Sequence, residues 1–143
     1  MRVIRTSKNL CGSPEMIWNV ITDFRSLGWR GDLASIQISH TEESRTVTET
    51  LLDGTSIRFL ITQWEPNEAY QHTMKGDLVS RSWGVYLAPV EAGKTKVTVC
   101  EKYHFKHKWM DWASYFYLPV KEGQKRYLKQ LASHLKELQY AKI

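Results

Sequence analysis

Three observations predict an α+β fold: a capped helix near the N-terminus, a long strand-patterned middle, and an apolar-striped helix toward the C-terminus. The first helix starts at Ser13-Pro14-Glu15, directly after a strand-like run. From about residue 35 to 105, apolar and polar residues alternate in short segments joined by turn residues, which is the period-two signature of strands. Six or seven strands and one long helix suit a curved antiparallel sheet wrapped around that helix, an arrangement that often leaves a cavity between the two layers.

Each element has its own warrant. Arg2 to Leu10 reads as an edge strand. Ser13 is placed to N-cap the first helix, with Pro14 in its first turn and Glu15 near the positive end of the dipole. Met16, Ile17, Val20, Ile21 and Phe24 recur at helical spacing and form its apolar stripe. The stretch Arg25 to Asp32, with Gly28 and Gly31, predicts a short second helix or turn around Trp29.

The strands follow. Ile36 and Ile38 alternate with polar neighbours, as do Ile57, Phe59 and Ile61, then Tyr70, His72 and Met74, then Trp83, Val85 and Leu87, then Val97, Val99, Tyr103 and Phe105. Turns are expected at Asp53-Gly54, Pro66-Asn67, Gly76-Asp77 and Ala92-Gly93, where these residue types supply the dihedrals a reversal demands. Pairing Leu87 with Val97 sets Val85 opposite Val99 and Trp83 opposite Glu101. A hairpin through Pro66-Asn67 sets Ile61 opposite His72. The inward sets agree across these pairs. The Asp53-Gly54 hairpin has two readings. A two-residue turn puts Glu49 opposite Arg58, both toward solvent. A three-residue loop turns Val47, Glu49 and Leu51 inward, opposite Ile61, Phe59 and Ile57, and is preferred because it buries Val47 and Leu51.

Tyr127, Leu128, Leu131, Leu135 and Leu138 make the core stripe of the terminal helix. Upstream, Trp109, Trp112, Tyr115, Phe116 and Tyr117 form a dense aromatic run, interrupted by Pro119 and Gly123. Proline inside a helix kinks it. The run reads either as a plain helix start or as the aromatic lid of a cavity.

Composition bounds the function. At 143 residues, 42% hydrophobic and 24% charged, the chain is ordinary for one globular domain. No run approaches the ~18 apolar residues of a membrane span, and the N-terminus lacks a signal-peptide core. Integral membrane association is not expected. Cys11 and Cys100 form no metal or redox motif and suit a reduced cytoplasm. The net charge of +5 lies in the last 43 residues, which hold 9 Lys/Arg against 4 Asp/Glu. Lysines spread around the helix among Glu122 and Glu137 read as a solvated face rather than a nucleic-acid surface. No nucleophile elbow, phosphate loop or dinucleotide fingerprint occurs, so no cofactor is expected. His104, His107 and Asp111 mimic a metal set, but Glu101 and His104 point to opposite faces of one strand, and no metal is expected.

The S-P-E-M-I-W-N-V-I-T-D-F helix, Trp29, the D-G hairpin, the W-E-P-N-E-A-Y turn and the terminal K-Q-L-A-S-H-L-K-E-L together resemble the SRPBCC superfamily, which includes START lipid-transfer domains, the birch-pollen-allergen fold and polyketide cyclases/dehydrases. The resemblance spans the chain. It implies a helix-grip fold, with seven antiparallel strands closing on the C-terminal helix and two short helices after the first strand. It also implies a cavity for hydrophobic ligands. Binders, carriers and enzymes share this fold.

The aromatic and apolar candidates for lining such a cavity are Trp29, Phe59, Tyr70, Met74, Trp83, Tyr103, Phe105, Tyr115 and Tyr117. The polar residues at inward parity are more telling: Glu49, His72, Arg81 and Glu101. A buried charge demands a partner or a wet pocket. Arg81 sits diagonal to Glu101, within reach of an ion pair, and reads either as a structural bridge or as a ligand-orienting group. His72 reads as a satisfied core histidine or as an acid/base. The expected function is binding of a small hydrophobic or aromatic molecule. The alternatives are a cyclase/dehydrase-type enzyme with His72, Glu49 and Arg81 as candidate catalytic residues, and an interaction module using the basic helix on anionic lipid or nucleic acid. A homodimer is left open. The cavity is expected to be entered near Gly76-Asp77 and the aromatic run Trp109–Tyr117.

Overall fold

The computed structural model describes residues 1–23, 29–30, 33–40 and 45–140, with 33–40 and Tyr117 described by backbone alone. The strands are β1 (Arg2–Cys11), β2 (Leu33–His40), β3 (Arg45–Leu51), β4 (Ser56–Glu65), β5 (Ala69–Lys75), β6 (Val79–Glu91) and β7 (Lys94–Phe105). The helices are α1 (Pro14–Thr22), α2 (Lys108–Tyr117) and α3 (Val120–Tyr140). The strands form one antiparallel sheet in the order β1-β7-β6-β5-β4-β3-β2, so every neighbour except β1–β7 is a sequential hairpin. The sheet curves around α3 in a helix-grip arrangement.

The first helix forms as its capping residues dictate. Ser13 is extended, and its Oγ accepts a hydrogen bond from the Met16 amide at 3.1 Å. Ile17, Trp18 and Ile21 are buried, with Met16 and Val20 packed beside them. Trp18 was absent from the predicted stripe, and Phe24 lies outside the described residues. The short second helix predicted around Trp29 falls largely on residues 24–28 and 31–32, also outside them.

The hairpin registers follow the inward pattern. Leu87 pairs with Val97, Val85 with Val99 and Trp83 with Glu101, and Ile61 pairs with His72. Asn67 takes a left-handed φ of 66° in the Pro66-Asn67 turn. The Asp53-Gly54 loop has three residues, closed by the Leu51 amide donating to the Thr55 carbonyl at 2.8 Å. Gly54 sits at φ 90°, a conformation that favours a residue without Cβ. Val47 and Glu49 therefore point inward and are buried, but their partners differ from the predicted ones. Val47 faces Phe59 and Glu49 faces Ile57: the predicted pairing of Leu51 with Ile57 would enclose five residues rather than three, so the register differs by two residues while the face is preserved.

A bulge between Ile61 and Gln63 reverses the parity of β4. Trp64 then faces the core and meets Trp18 edge-on at 5.2 Å and Tyr70 at 5.8 Å. Simple alternation along β4 could not reveal this.

The terminal helix is broken rather than kinked. Leu118 is extended at φ −113°, ψ 101°, and Pro119 separates α2 from α3. The residue before a proline is pushed out of the helical region, which ends α2 there. α3 buries Val120, Gln124, Tyr127, Leu128, Leu131 and Leu135. Gln124 is fully buried; its amide donates to the Ile4 carbonyl at 3.0 Å and its oxygen accepts from Thr6 Oγ1 at 2.6 Å. This pins α3 to the edge strand with both polar ends satisfied.

Candidate functional site

The packed core stops part-way along α3. Beyond Tyr127, a cavity of about 540 Å³ opens between the helix and the sheet. Its floor is built by inward residues of five adjacent strands: Glu49 and Leu51 from β3, Ile57 and Phe59 from β4, His72 from β5, Arg81 and Trp83 from β6, and Glu101 and Tyr103 from β7. Its roof comes from Leu118, Pro119, Val120, Gly123, Arg126, Tyr127 and Gln130, while Arg30 enters from the side. Leu118, Pro119, Gly123 and Arg126 are exposed, so the mouth lies along the α2–α3 junction and the first turns of α3.

Two ion pairs flank the cavity. Arg81 reaches Glu101 Oε2 with Nε at 3.2 Å and Nη2 at 3.1 Å. The Tyr103 hydroxyl donates to the same oxygen at 2.7 Å. Glu101 is only 3% exposed, so these charge-assisted donors compensate its loss of water. On the other side, Arg30 Nη1 reaches Glu49 Oε1 at 3.0 Å. Both buried carboxylates are thus matched by guanidinium groups that also face the cavity.

His72 lies between the pairs. Its ring packs against Phe59, with centroids 4.2 Å apart, and Nδ1 is 2.7 Å from the Tyr70 hydroxyl. Burial, with help from the Arg81 and Arg30 charges, pushes its pKa down to about 3, so the ring is neutral at ordinary pH. Burial likewise raises the hydroxyls of Tyr70, Tyr103 and Tyr127 well above the ordinary phenol value, so all three remain protonated donors. Trp83 and Tyr127 meet edge-on at 4.9 Å where core gives way to cavity.

Of the sequence-predicted residues, Glu49, Phe59, His72, Arg81, Trp83, Glu101 and Tyr103 converge on the cavity. The others go elsewhere. Tyr70 is buried in the core behind His72, and Met74, half-buried opposite Arg81, is not part of the cavity wall. Trp29 packs edge-on against Tyr127 and stacks on His134 outside the cavity, in a second depression of about 580 Å³ shared with Arg126 and Gln130. Tyr115 lies on the outside of α2 beneath the Arg2 guanidinium, 4.3 Å from its ring centre. The side chain of Tyr117 is outside the described residues. The expected entrance also moves, since among the described residues neither Gly76-Asp77 nor Trp109, Trp112, Tyr115 or Phe116 borders the cavity. None of these four aromatic residues lids it. Sequence reasoning missed Arg30, Arg126 and Gln130. Arg30 follows Trp29 in a segment without periodicity, and Arg126 and Gln130 are polar residues on a helix, where polarity ordinarily signals solvent.

The model of the family "Polyketide cyclase / dehydrase and lipid transport" matches residues 1–139. The chain belongs to this family. It thereby falls within the SRPBCC superfamily suggested by its motifs. Its fold is similar to that of norcoclaurine synthase from Thalictrum flavum, with a TM-score of 0.73 at 12% identity over 95% of this chain and 87% of that one. It is also similar to a START superfamily protein from Mycobacterium smegmatis, with a TM-score of 0.72 at 15% identity over 95% and 98% of the two chains. A Staphylococcus saprophyticus protein matches with a TM-score of 0.70 at 21% identity over 94% and 92%. No curated protein matches in sequence. Among the described residues, no helix is long and apolar enough to cross a membrane.

Proposed function

We propose that this protein binds a small hydrophobic molecule bearing an aromatic ring in the cavity between α3 and the sheet. The observation that carries the reading is the pairing of an aromatic wall, Phe59, Trp83 and Tyr127, with the Arg81–Glu101–Tyr103 cluster in the same cavity. The aromatic wall offers faces and edges to a flat ligand. The polar cluster is already held in place by its own bonds, so it fixes one end of the ligand without reorganising. A volume of about 540 Å³ suits a small molecule. A norcoclaurine synthase structure of similar fold was solved in complex with dopamine and hydroxybenzaldehyde, which supports aromatic ligands of this size. The protein acts as a single ligand-binding domain in the reduced cytoplasm, where Cys11 and Cys100 stay as free thiols.

A cyclase- or dehydrase-type reaction in the same cavity is the second reading, favoured by the family. Glu49 would move the proton and Arg81 would face a developing oxyanion. His72 makes a poor base at neutral pH with its pKa near 3. The first test is native mass spectrometry of freshly purified protein, with a co-purified small molecule expected. Titrations with aromatic compounds follow. Absence of both a retained mass and any saturable binding overturns the proposal. Turnover abolished in Glu49→Gln with binding retained would select the enzyme reading.

A further inference from the structure

Helix α2 turns its bulkiest apolar residues to solvent. Among the described residues its inner side carries only the small or flexible Ala113 and Met110 beside polar groups: Ser114 is buried, accepts Arg2 Nη1 at its carbonyl (2.8 Å) and hydroxyl (3.2 Å), and donates to the Asp111 carbonyl at 2.7 Å. Asp111 is half-buried, 3.6 Å from the Met1 amino group. The outer side is aromatic. Trp109 is 68% exposed, and Trp112 and Phe116 are each 69% exposed. These three stand at i, i+3 and i+7, on one stripe of the helix, and the Trp112 and Phe116 rings touch with centroids 5.0 Å apart. Water-facing aromatic stripes of this kind mark a partner surface.

The charges around the stripe indicate which partner. Lys106 and Lys108 are exposed immediately before it, and just after the α2–α3 break Lys121, which donates to the Arg5 carbonyl, and Lys125 are exposed with a single carboxylate, Glu122, between them. The one carboxylate within α2, Asp111, points inward beside an amino group. An apolar centre rich in tryptophan, bounded by lysines, fits the interface of an anionic bilayer, where indoles sit at headgroup depth and lysines meet lipid phosphates. A second copy fits less well, because a two-fold interface would set lysines against lysines. The C-terminal end of α2 leads directly into Leu118 and Pro119 on the rim of the cavity, so a docked helix would bring the mouth to the bilayer.

We infer that α2 is a docking element that lays Trp109, Trp112 and Phe116 into the surface of an anionic membrane. This does not depend on what the cavity holds. Co-sedimentation of the full chain with phosphatidylcholine vesicles, with and without phosphatidylserine, tests it. Retention is expected on the phosphatidylserine vesicles, with a blue shift of tryptophan emission and release at high salt. The double variant Trp112→Ser/Phe116→Ser should lose about tenfold or more of that retention, as should Lys106→Glu/Lys108→Glu. Melting temperatures of both variants should stay near the parent value, because the altered side chains face solvent. Trp83→Leu, inside the cavity, should leave retention unchanged. Four results would overturn the inference: no retention on either vesicle, retention untouched by the α2 variants, retention lost in Trp83→Leu instead, or tight binding of single-stranded DNA without vesicle binding. A concentration-dependent dimer abolished by Trp112→Ser/Phe116→Ser in the absence of vesicle binding would assign the stripe to self-association.

Discussion

The same strands build two unlike halves of the space under α3. In one half, Val85 and Leu87 of β6 and Val97 and Val99 of β7 meet Leu128, Leu131 and Leu135 of α3 with essentially no solvent contact. A few residues along those strands, the inward positions change to Arg81, Trp83, Glu101 and Tyr103, and the helix presents Val120 and Gly123 instead of leucine. The first half closes because branched aliphatic side chains interdigitate at crystal-like density. The second stays open because the helix withdraws bulk at Gly123 while the sheet offers long side chains locked sideways into ion pairs. One half is filled by aliphatic packing and the other is an open, polar-lined cavity, with Tyr127 as the shared wall.

The comparison breaks most visibly at Leu131, which is fully buried on the packed side. Leu131→Ala removes methylene contacts that the rigid neighbours cannot refill, at an expected cost of about 2–5 kcal/mol. Denaturant unfolding measures it. Ligand affinity of the protein that remains folded should be unchanged, since Leu131 does not border the cavity.

The cavity half is expected to show its weakness in acid. His72 has a folded pKa near 3 against an ordinary value of 6.5. As pH falls through 6.5, the unfolded chain takes up a proton that the folded chain refuses until about pH 3. The depressed folded value therefore makes stability decline as pH falls across that window, by up to about 1.4 kcal/mol per pH unit from this group. Melting curves of the parent and His72→Gln, compared between pH 7 and the start of acid unfolding, should diverge in slope. Parallel slopes would show that His72 is accessible to protons in the folded state.

Arg81 sharpens the distinction between structure and selectivity. Arg81→Met leaves Glu101 with only the Tyr103 hydroxyl, and is expected to destabilise by about 2–4 kcal/mol, below the full value for a buried pair because Arg81 is partly solvated. Adding Glu101→Leu should recover most of that loss, since no orphan charge then remains. If the pair orients a ligand, the double variant regains stability without regaining preference for analogues that carry a carbonyl or anionic group. Paired titrations with charged and neutral analogues separate the outcomes.

Much of this division was readable beforehand, and the failures have physical causes. Period-two alternation placed Glu49, His72, Arg81 and Glu101 on the inner face because parity survives even where register is misjudged, as at the Asp53-Gly54 loop. The β4 bulge hid Trp64, since a one-residue insertion leaves no compositional mark. Tyr115 and Tyr117 count as cavity candidates in the sequence, and the aromatic run reads as a helix start or a lid, because apolar bulk ordinarily points inward; the exposed Trp109, Trp112, Tyr115 and Phe116 violate that rule. Arg126 and Gln130 were invisible because a polar residue above a cavity looks the same in sequence as one facing bulk water.

Trp83 tests the wall itself. Trp83→Leu keeps an apolar side chain but removes the ring that meets Tyr127. Affinity for an aromatic ligand should fall by ~0.5–1.5 kcal/mol if ring contact contributes. Aliphatic ligands of similar volume should be less affected. Isothermal titration with a matched aromatic and aliphatic pair reads the difference, and equal losses for both would reduce Trp83 to a volume filler.

The smallest expected effect is at Gly123, where the two halves were set apart. A Cβ built on this residue meets nothing within 4 Å, and its φ is not left-handed, so nothing in the backbone or its packing requires glycine. Glycine in a helix interior costs about 0.5–1 kcal/mol relative to alanine. Gly123→Ala should therefore stabilise the fold by about that amount, while the added methyl trims the cavity at its mouth. A larger side chain such as Gly123→Leu should gain less stability and exclude bulky ligands, converting part of the open half toward the packed one. If glycine is there only by chance, both variants should raise the melting temperature and leave the affinity of every ligand size unchanged. If it is there to hold the mouth open, the gain in stability comes with a loss of affinity that grows with ligand size, and melting curves run beside a size-graded ligand series distinguish the two.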